Sequence, residues 1–305
     1  MFIQTLARQS TSSMYAFSSP DDVIQEVNSL IHHIFFEQVN AVSKTNLSIE
    51  AIKYHLLSPG QQFRAKVCLD ACMKLDVDYN DMLILAAAAE LLHEASLIHD
   101  DVQDGDEIRR NQPAVWKKFG KNIAICAGDL LLSTAYSVLA DFSNLKLLPK
   151  LISTIHTQTR SAIEGQSKDI GYKNNPHISI EKYIEIASQK SGGLLNLPIE
   201  LALIAADKSS YIGLAKKVSA QFAVGYQMAD DLDDIIKDSG NQTESQSVNI
   251  IFVLRALGCK NEQQEAVVMC QNFLNNAIDY SQQLPNGSGL ILTNFAKKLI
   301  NKINQ

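Results

Sequence analysis

Two short acidic patterns are the residues of this chain best suited to chemistry. Asp100, Asp101 and Asp104 form Asp-Asp-x-x-Asp, and Asp230, Asp231 and Asp234 repeat it. With 20 Asp in 305 positions, chance supplies roughly 0.1 such match per chain, and on the order of 0.004 for two. On a helix, positions four or three apart share a face, so each triplet crowds carboxylates about 5–6 Å from one another. A single cluster of this kind would usually be a solvated helix end. Two clusters, each continuing an apolar helical stretch, point instead to acids set at the end of core-packed elements. A cation would relieve their repulsion. Aspartate oxygens without companion Cys or paired His suit hard Mg²⁺, which keeps several waters and is completed by substrate phosphates. His93, Glu94 and His99 do not make a zinc protease motif, because the second His stands two positions too late.

The charge is localised. Residues 94–110 hold six acids and two arginines, and 230–238 hold five acids and one lysine, so each carries −4 against −6 for the whole chain. The remainder is therefore net +2. Arg109 and Arg110 follow the first cluster within two helical turns, and their forked donors match phosphate oxygens. No Gly-rich nucleotide loop of the P-loop or dinucleotide type is present. These residues predict a small diphosphate held by metals.

The elements that must carry these groups are helices. Val23, Val27, Leu30, Ile31, Ile34 and Phe35 fall on one stripe after Pro20-Asp21-Asp22, a helix start. Leu214, Val218, Phe222, Gly225, Ala229, Leu232 and Ile236 step by three or four, predicting one helix over much of 210–237. The run 81–92 is apolar nearly all round, as a buried central helix is. Breaks fall at 141–144, 173–176, 238–247 and 285–289, none long enough for a domain linker. The expectation is one all-α domain over 1–305, with residues 1–18 frayed.

Composition narrows the classes. The chain is 46% hydrophobic and 20% charged, which excludes disordered and fibrous types. A pI near 5.6 argues against nucleic-acid binding. The longest apolar runs are interrupted by Glu90 and by Asn196, Pro198 and Glu200, so no transmembrane segment is expected. The start lacks a secretory pattern, and the chain reads as cytoplasmic. Five cysteines without a Cys-x-x-Cys pair read as buried free thiols.

The constellation resembles the trans-polyprenyl diphosphate synthase family. The stretch His93 to Asp104 followed by Arg109-Arg110 is similar to that family's first aspartate-rich region. Gly128-Asp129-Leu130 begins a matching helix, and Glu164-Gly165-Gln166 with Asp169 resembles its central Gly-Gln motif. Lys190-Ser191-Gly192 resembles the catalytic-lysine segment, and Gly225-Tyr226-Gln227 with Asp230, Asp231 and Asp234 the second aspartate-rich region. The resemblance implies an antiparallel helix bundle around a central cavity, the acidic clusters facing across its mouth, commonly as a homodimer. It implies that both carboxylate sets hold Mg²⁺ and an allylic prenyl diphosphate, with Arg109, Gln166, Lys190 and Lys237 serving the same group. Gln227 would stabilise the carbocation. Isopentenyl diphosphate would bind at Arg64, His93 and Arg110 and attack that cation, lengthening the chain by five carbons.

Two departures stand out. The family's Gly-Gly-Lys-Arg-x-Arg segment reads Pro59-Gly60-Gln61-Gln62-Phe63-Arg64 here, so two inner cations are missing. After Lys237-Asp238, the usual Lys- and Gly-containing loop is shortened and has no lysine. At this level three readings stand: a prenyl elongase, an atypical enzyme that ionises a prenyl diphosphate and cyclises it or couples it differently, and a non-catalytic partner subunit. Ala95 and Ser96, small residues before Asp100, set no aromatic plug in the family's product tunnel, whereas Tyr136 could floor it.

Overall fold

The computed structural model describes residues 19–37, 46–58, 60–172, 178–238 and 248–304, the side chains of 37 and 234–238 excepted. They are helical almost throughout and group into two compact units. The first holds the described residues up to Ile152 with Ile204–Ala206, and the second holds Ser153–Leu203 with those from Asp207 onward.

In the first unit, helix α1 (Pro20–His32) starts where Ser19 and Asp22 cap one another, and it buries Val23, Val27, Leu30 and Ile31 of the predicted stripe together with Ile24, which lies outside it. A single π-type turn (His33–Glu37) follows and tucks Phe35 into the core. Then come α2 (Leu47–Leu56) and α3 (Phe63–Lys74). At the centre stands α4 (Tyr79–Asp104), 26 residues long, capped by Asp78 and ended by Gly105 at φ +77°. Its Leu83 to Ala89 run has almost no exposed surface, because α1, α3 and α6 (Lys121–Ser137) pack around it. A two-residue hairpin, β1 (Ile108–Arg109) and β2 (Gln112–Pro113), and the short α5 (Val115–Phe119) lead into α6. The hairpin holds the only strands among the described residues.

The second unit is built on α7 (Leu148–Tyr172) from Ser153 onward, α8 (Ile180–Ala205) up to Leu203 and α9 (Ile212–Asp238), followed by α10 (Ile250–Ala256), α11 (Glu262–Ser281) and α12 (Leu290–Ile303). Helix α9 is the uninterrupted helix the apolar spacing predicts, and it packs on α11 and α12. A buried polar chain crosses this core: Gln158 and Asn196 both donate to Glu200, and the Ser219 hydroxyl donates to Asn196. Predicted breaks at 173–176 and 239–247 lie outside the described residues.

Two expectations need correction. Among the described residues, two helices are long and apolar enough, by length and composition, to cross a membrane, Tyr79–Asp104 and the segment Lys121–Asp141. The first earns its composition as a core helix, its most apolar window being 78% buried, whereas the second is 39% buried. Cys68, Cys72 and Cys270 are buried thiols, but Cys126 is exposed and Cys259 half-buried. Cys126 sits beside Ile125 on the face of α6 that the first unit leaves uncovered.

Candidate active site

The first triplet occupies the last turns of α4, and its members are not equivalent. Asp101 has no exposed surface, while Asp100 and Asp104 are half-buried. Oδ1 of Asp101 accepts from Arg109 Nε at 2.9 Å and also from Nη2, whereas its buried Oδ2 has no protein partner. Burial pushes the Asp101 carboxyl up, and the Arg109 guanidinium opposes it. Arg109 reaches Asp101 because the β1–β2 hairpin turns through Arg110 and Asn111, both left-handed at φ +52° and +62°. That is the two-residue turn whose twist suits a hairpin.

Arg110 is thereby aimed at α4 and at the segment before α3. Its Nη1 donates to the Ser58 carbonyl and its Nη2 to Glu94 Oε1, both at 2.8 Å. Its guanidinium lies against Gly60, where an added Cβ would fall 2.8 Å from Nη2. Glu94 is 3% exposed and its other oxygen meets His55 Nε2 at 2.5 Å. Burial alone would raise the Glu94 carboxyl, but the hydrogen bonds from His55 and Arg110 hold it far below the ordinary carboxylate range. Glu90, one turn earlier, is pushed up to about 7 by burial and by Glu94, although the Ala65 N–H donates to it. Burial and the Arg64 charge keep His93 neutral. Gln61 is exposed, while Gln62, left-handed at φ +51° at the start of α3, forms a reciprocal amide pair with Asn28 of α1. Pro59 lies outside the described residues.

In the second unit, α7 and α8 approach so closely that a Cβ on Gly165 would fall 2.2 Å from the Lys190 nitrogen. Glycine at 165 therefore brings Lys190 within reach of α7, where its Nζ pairs with Asp169 at 2.6 Å. Gln166 is buried on the same stretch. Asp169, Lys190, Gln227, Tyr183 and Val248 line a narrow cleft.

Asp231 repeats the pattern of Asp101. It is 2% exposed, whereas Asp230 is half-buried. Its Oδ2 accepts from the Tyr183 hydroxyl at 2.7 Å and the Ile250 N–H at 2.8 Å, and its Oδ1 from Gln227 Nε2 at 3.0 Å. Asn249, which caps α10, donates to the Asp231 carbonyl. Burial pushes the Asp231 carboxyl up to about 7 against the pull of those three donors. The side chains of Asp234 and Lys237 lie outside the described residues.

Thus the structure joins Asp101 to Arg109, His55 to Arg110 through Glu94, which follows His93 in the chain, and Lys190 to the cleft of Gln227. His55, Glu94, Asp169 and Tyr183 complete these groups; their partners are distant in sequence, so spacing alone had no way to assign them. Among the described residues no three Asp, Glu, His or Cys are assembled for a metal ion. A magnesium site made of one or two carboxylates and substrate phosphate oxygens needs no such assembly, and the half-buried Asp100, Asp104 and Asp230 offer oxygen donors of the right kind.

Residues 46–269 match the family model described as polyprenyl synthetase. A short chain isoprenyl diphosphate synthase of Methanocaldococcus jannaschii is 27% identical over 263 residues, covering 79% of this chain and 80% of that relative. Among solved structures, a geranylgeranyl pyrophosphate synthetase from Pyrococcus horikoshii superposes with a TM-score of 0.80 at 22% identity, over 92% of this chain and 96% of the other. A geranyltransferase from Helicobacter pylori, complexed with magnesium and isoprenyl diphosphate, has a TM-score of 0.74 at 20% identity, over 95% and 99%. At those identities the two structures establish the shared all-α isoprenoid synthase fold.

Proposed function

The chain belongs to the polyprenyl synthetase family and is a polyprenyl diphosphate synthase-like transferase, and from that premise we propose that it condenses an allylic prenyl diphosphate with isopentenyl diphosphate in a Mg²⁺-dependent reaction. The observation that carries the reading is the division within each aspartate triplet, a buried hydrogen-bonded second member beside a partly exposed first. The first and third positions, Asp100 and Asp104, and the first of the second triplet, Asp230, are assigned to magnesium; Asp234 joins them through the resemblance. Bound there, Mg²⁺ would neutralise the diphosphate and stabilise the charge that appears on its oxygens as the carbon–oxygen bond breaks.

The chain's own residues do the rest. Asp101 takes two of the five guanidinium N–H groups of Arg109 and orients the remainder toward phosphate. Lys190, held by Asp169, sets an ammonium at the cleft for the departing diphosphate. Gln227 lines the same cleft and places an amide dipole where the allylic cation forms. Arg64, His93 and Arg110 receive the acceptor's diphosphate. The acceptor's double bond forms the new carbon–carbon bond, and its proton leaves to an oxygen of the released diphosphate. Relatives named for short-chain and geranylgeranyl products and the small Ala95 and Ser96 support a medium product length. The cyclase-like and partner-subunit readings gain no support from any of these relatives. We also propose a homodimer, formed through the uncovered apolar face of α6 around Ile125.

The test separates the two kinds of aspartate. With Mg²⁺, an allylic diphosphate and isopentenyl diphosphate, Asp100→Ala and Asp230→Ala lose at least about 10²-fold in turnover with an unchanged melting temperature. Asp101→Asn and Asp231→Asn change the melting temperature as well. Full Mg²⁺-dependent turnover in Asp100→Ala and Asp230→Ala overturns the assignment.

A further inference from the structure

Tyr183 has no role in the reaction as described, yet it is the fully buried partner of Asp231, a buried carboxylate held by three donors. Its ring is 1% exposed, it lies on α8 and lines the cleft shared by Lys190 and Gln227, and its hydroxyl donates to Asp231 Oδ2 at 2.7 Å. We propose that Tyr183 is a positioning residue that, through Asp231, fixes which end of the Gln227 amide faces the reacting centre.

Three hydrogen bonds meet at the Asp231 carboxylate. Gln227 and Asp231 are four apart on α9, so their side chains meet on one face of the helix. The Gln227 Nε2 group donates to Asp231 Oδ1 at 3.0 Å, and in the ionised form of Asp231 both oxygens only accept, so in that form the amide's NH₂ end belongs to Asp231. The remaining end is the carbonyl oxygen Oε1, which carries the negative end of the amide dipole. Facing the cleft, it would stabilise a carbocation; the NH₂ end in the same place would repel one. The orientation of Gln227 therefore decides the sign of its effect.

That orientation is only as firm as the Asp231 carboxylate. Its plane is set by two donors on Oδ2, from different elements: the Tyr183 hydroxyl on α8 and the Ile250 N–H at the start of α10. Without the Tyr183 hydroxyl, Oδ2 keeps only the Ile250 N–H, and the carboxylate that Gln227 binds through Oδ1 is held less firmly than by two donors converging at 2.7 and 2.8 Å. Tyr183 thus transmits α8 geometry to Gln227 without its hydroxyl contacting substrate. The inference rests on the proposed function, in which Gln227 faces an allylic cation, and adds to it the residue that holds Gln227 the right way round.

The experiment is a double-mutant cycle with Tyr183→Phe, which deletes a single oxygen, and Gln227→Leu, which removes the amide at similar volume. Prenyl transfer is measured with Mg²⁺, an allylic diphosphate and isopentenyl diphosphate. Tyr183→Phe is expected to lower kcat about 10-fold while both KM values stay within about twofold, because binding of neither diphosphate depends on the amide. In the Gln227→Leu background the same change is expected to cost less than about twofold, since nothing is left to orient. Ser219→Ala breaks the buried polar chain of the same unit and makes none of the Asp231 bonds, so it lowers the melting temperature with kcat unchanged and calibrates what destabilisation alone does. Equal losses from Tyr183→Phe in both backgrounds, a rise in KM without a fall in kcat, or a kcat change that merely tracks melting temperature as calibrated by Ser219→Ala overturns the positioning role. A wild-type protein that turns over no allylic diphosphate overturns the reading beneath it as well, which distinguishes the two failures.

Discussion

Adding one methyl group at Gly165 tests the helix crossing that presents Lys190. An alanine Cβ at 165 would stand 2.2 Å from the Lys190 nitrogen, 2.6 Å from its Cα and 2.7 Å from the Gln189 carbonyl carbon. All three are backbone atoms and cannot swing aside. Ordinary contact begins near 3.4 Å, so α7 and α8 would have to part by about 1 Å. The Lys190–Asp169 pair, now 2.6 Å, spans the same crossing one turn further along and would stretch beyond good hydrogen-bond range. Overpacking of this kind costs about 1–3 kcal/mol, and a misplacement of about 1 Å at a reacting group costs on the order of 10² in rate. Gly171, on the same helix, is the control, since its Cβ would meet nothing within 4 Å. Gly171→Ala should stabilise the protein by about 0.5–1 kcal/mol through helix propensity and leave turnover unchanged. Urea denaturation with steady-state prenyl transfer measures both variants. A Gly165→Ala protein with wild-type stability and kcat, or a Gly171→Ala protein equally damaged, would refute the reasoning.

Three further outcomes follow from the same geometry. Asp231 has a carboxyl raised from 3.8 to about 7, so between those values the folded state binds the proton more tightly and stability falls as pH rises. Asp231→Asn should remove this dependence, its stability relative to wild type growing by up to about 4 kcal/mol between pH 4 and pH 8; parallel denaturation profiles of the two proteins would contradict it. Arg109→Leu strips the buried Asp101 of its partner and should cost about 3–5 kcal/mol, much of it recovered in Arg109→Leu/Asp101→Leu, as measured by urea denaturation. Gln61 is exposed, so Gln61→Lys should lower KM for isopentenyl diphosphate by about threefold to tenfold at no cost in stability, whereas Gln62→Arg must break the amide pair with Asn28 and should lose about 1 kcal/mol.

The helices were legible because burial follows spacing: Val218, Phe222, Ala229 and Leu232 are all buried on α9 as their steps of three and four require. The charge clusters were legible because two local matches to one pattern exceed chance. Gln61 and Gln62 illustrate the limit. In the chain they are neighbours of the same type, both replacing a cation, but one faces water and the other is clasped to α1. That difference depends on a left-handed residue at the start of α3 and on an asparagine 34 positions away. Arg109 and Arg110 differ in the same way, since a hairpin turn sends one to Asp101 and the next to Glu94.

The sequence by itself determined the chemical inventory and the helical class, because both are carried by short-range spacing along the chain. Only the tertiary structure decided which member of each aspartate triplet is buried, which arginine serves which carboxylate, and that Tyr183 and Ile250 N–H converge on Asp231. Burial and hydrogen bonding between elements depend on where distant segments are brought together, and those contacts leave no periodic trace in the order of residues.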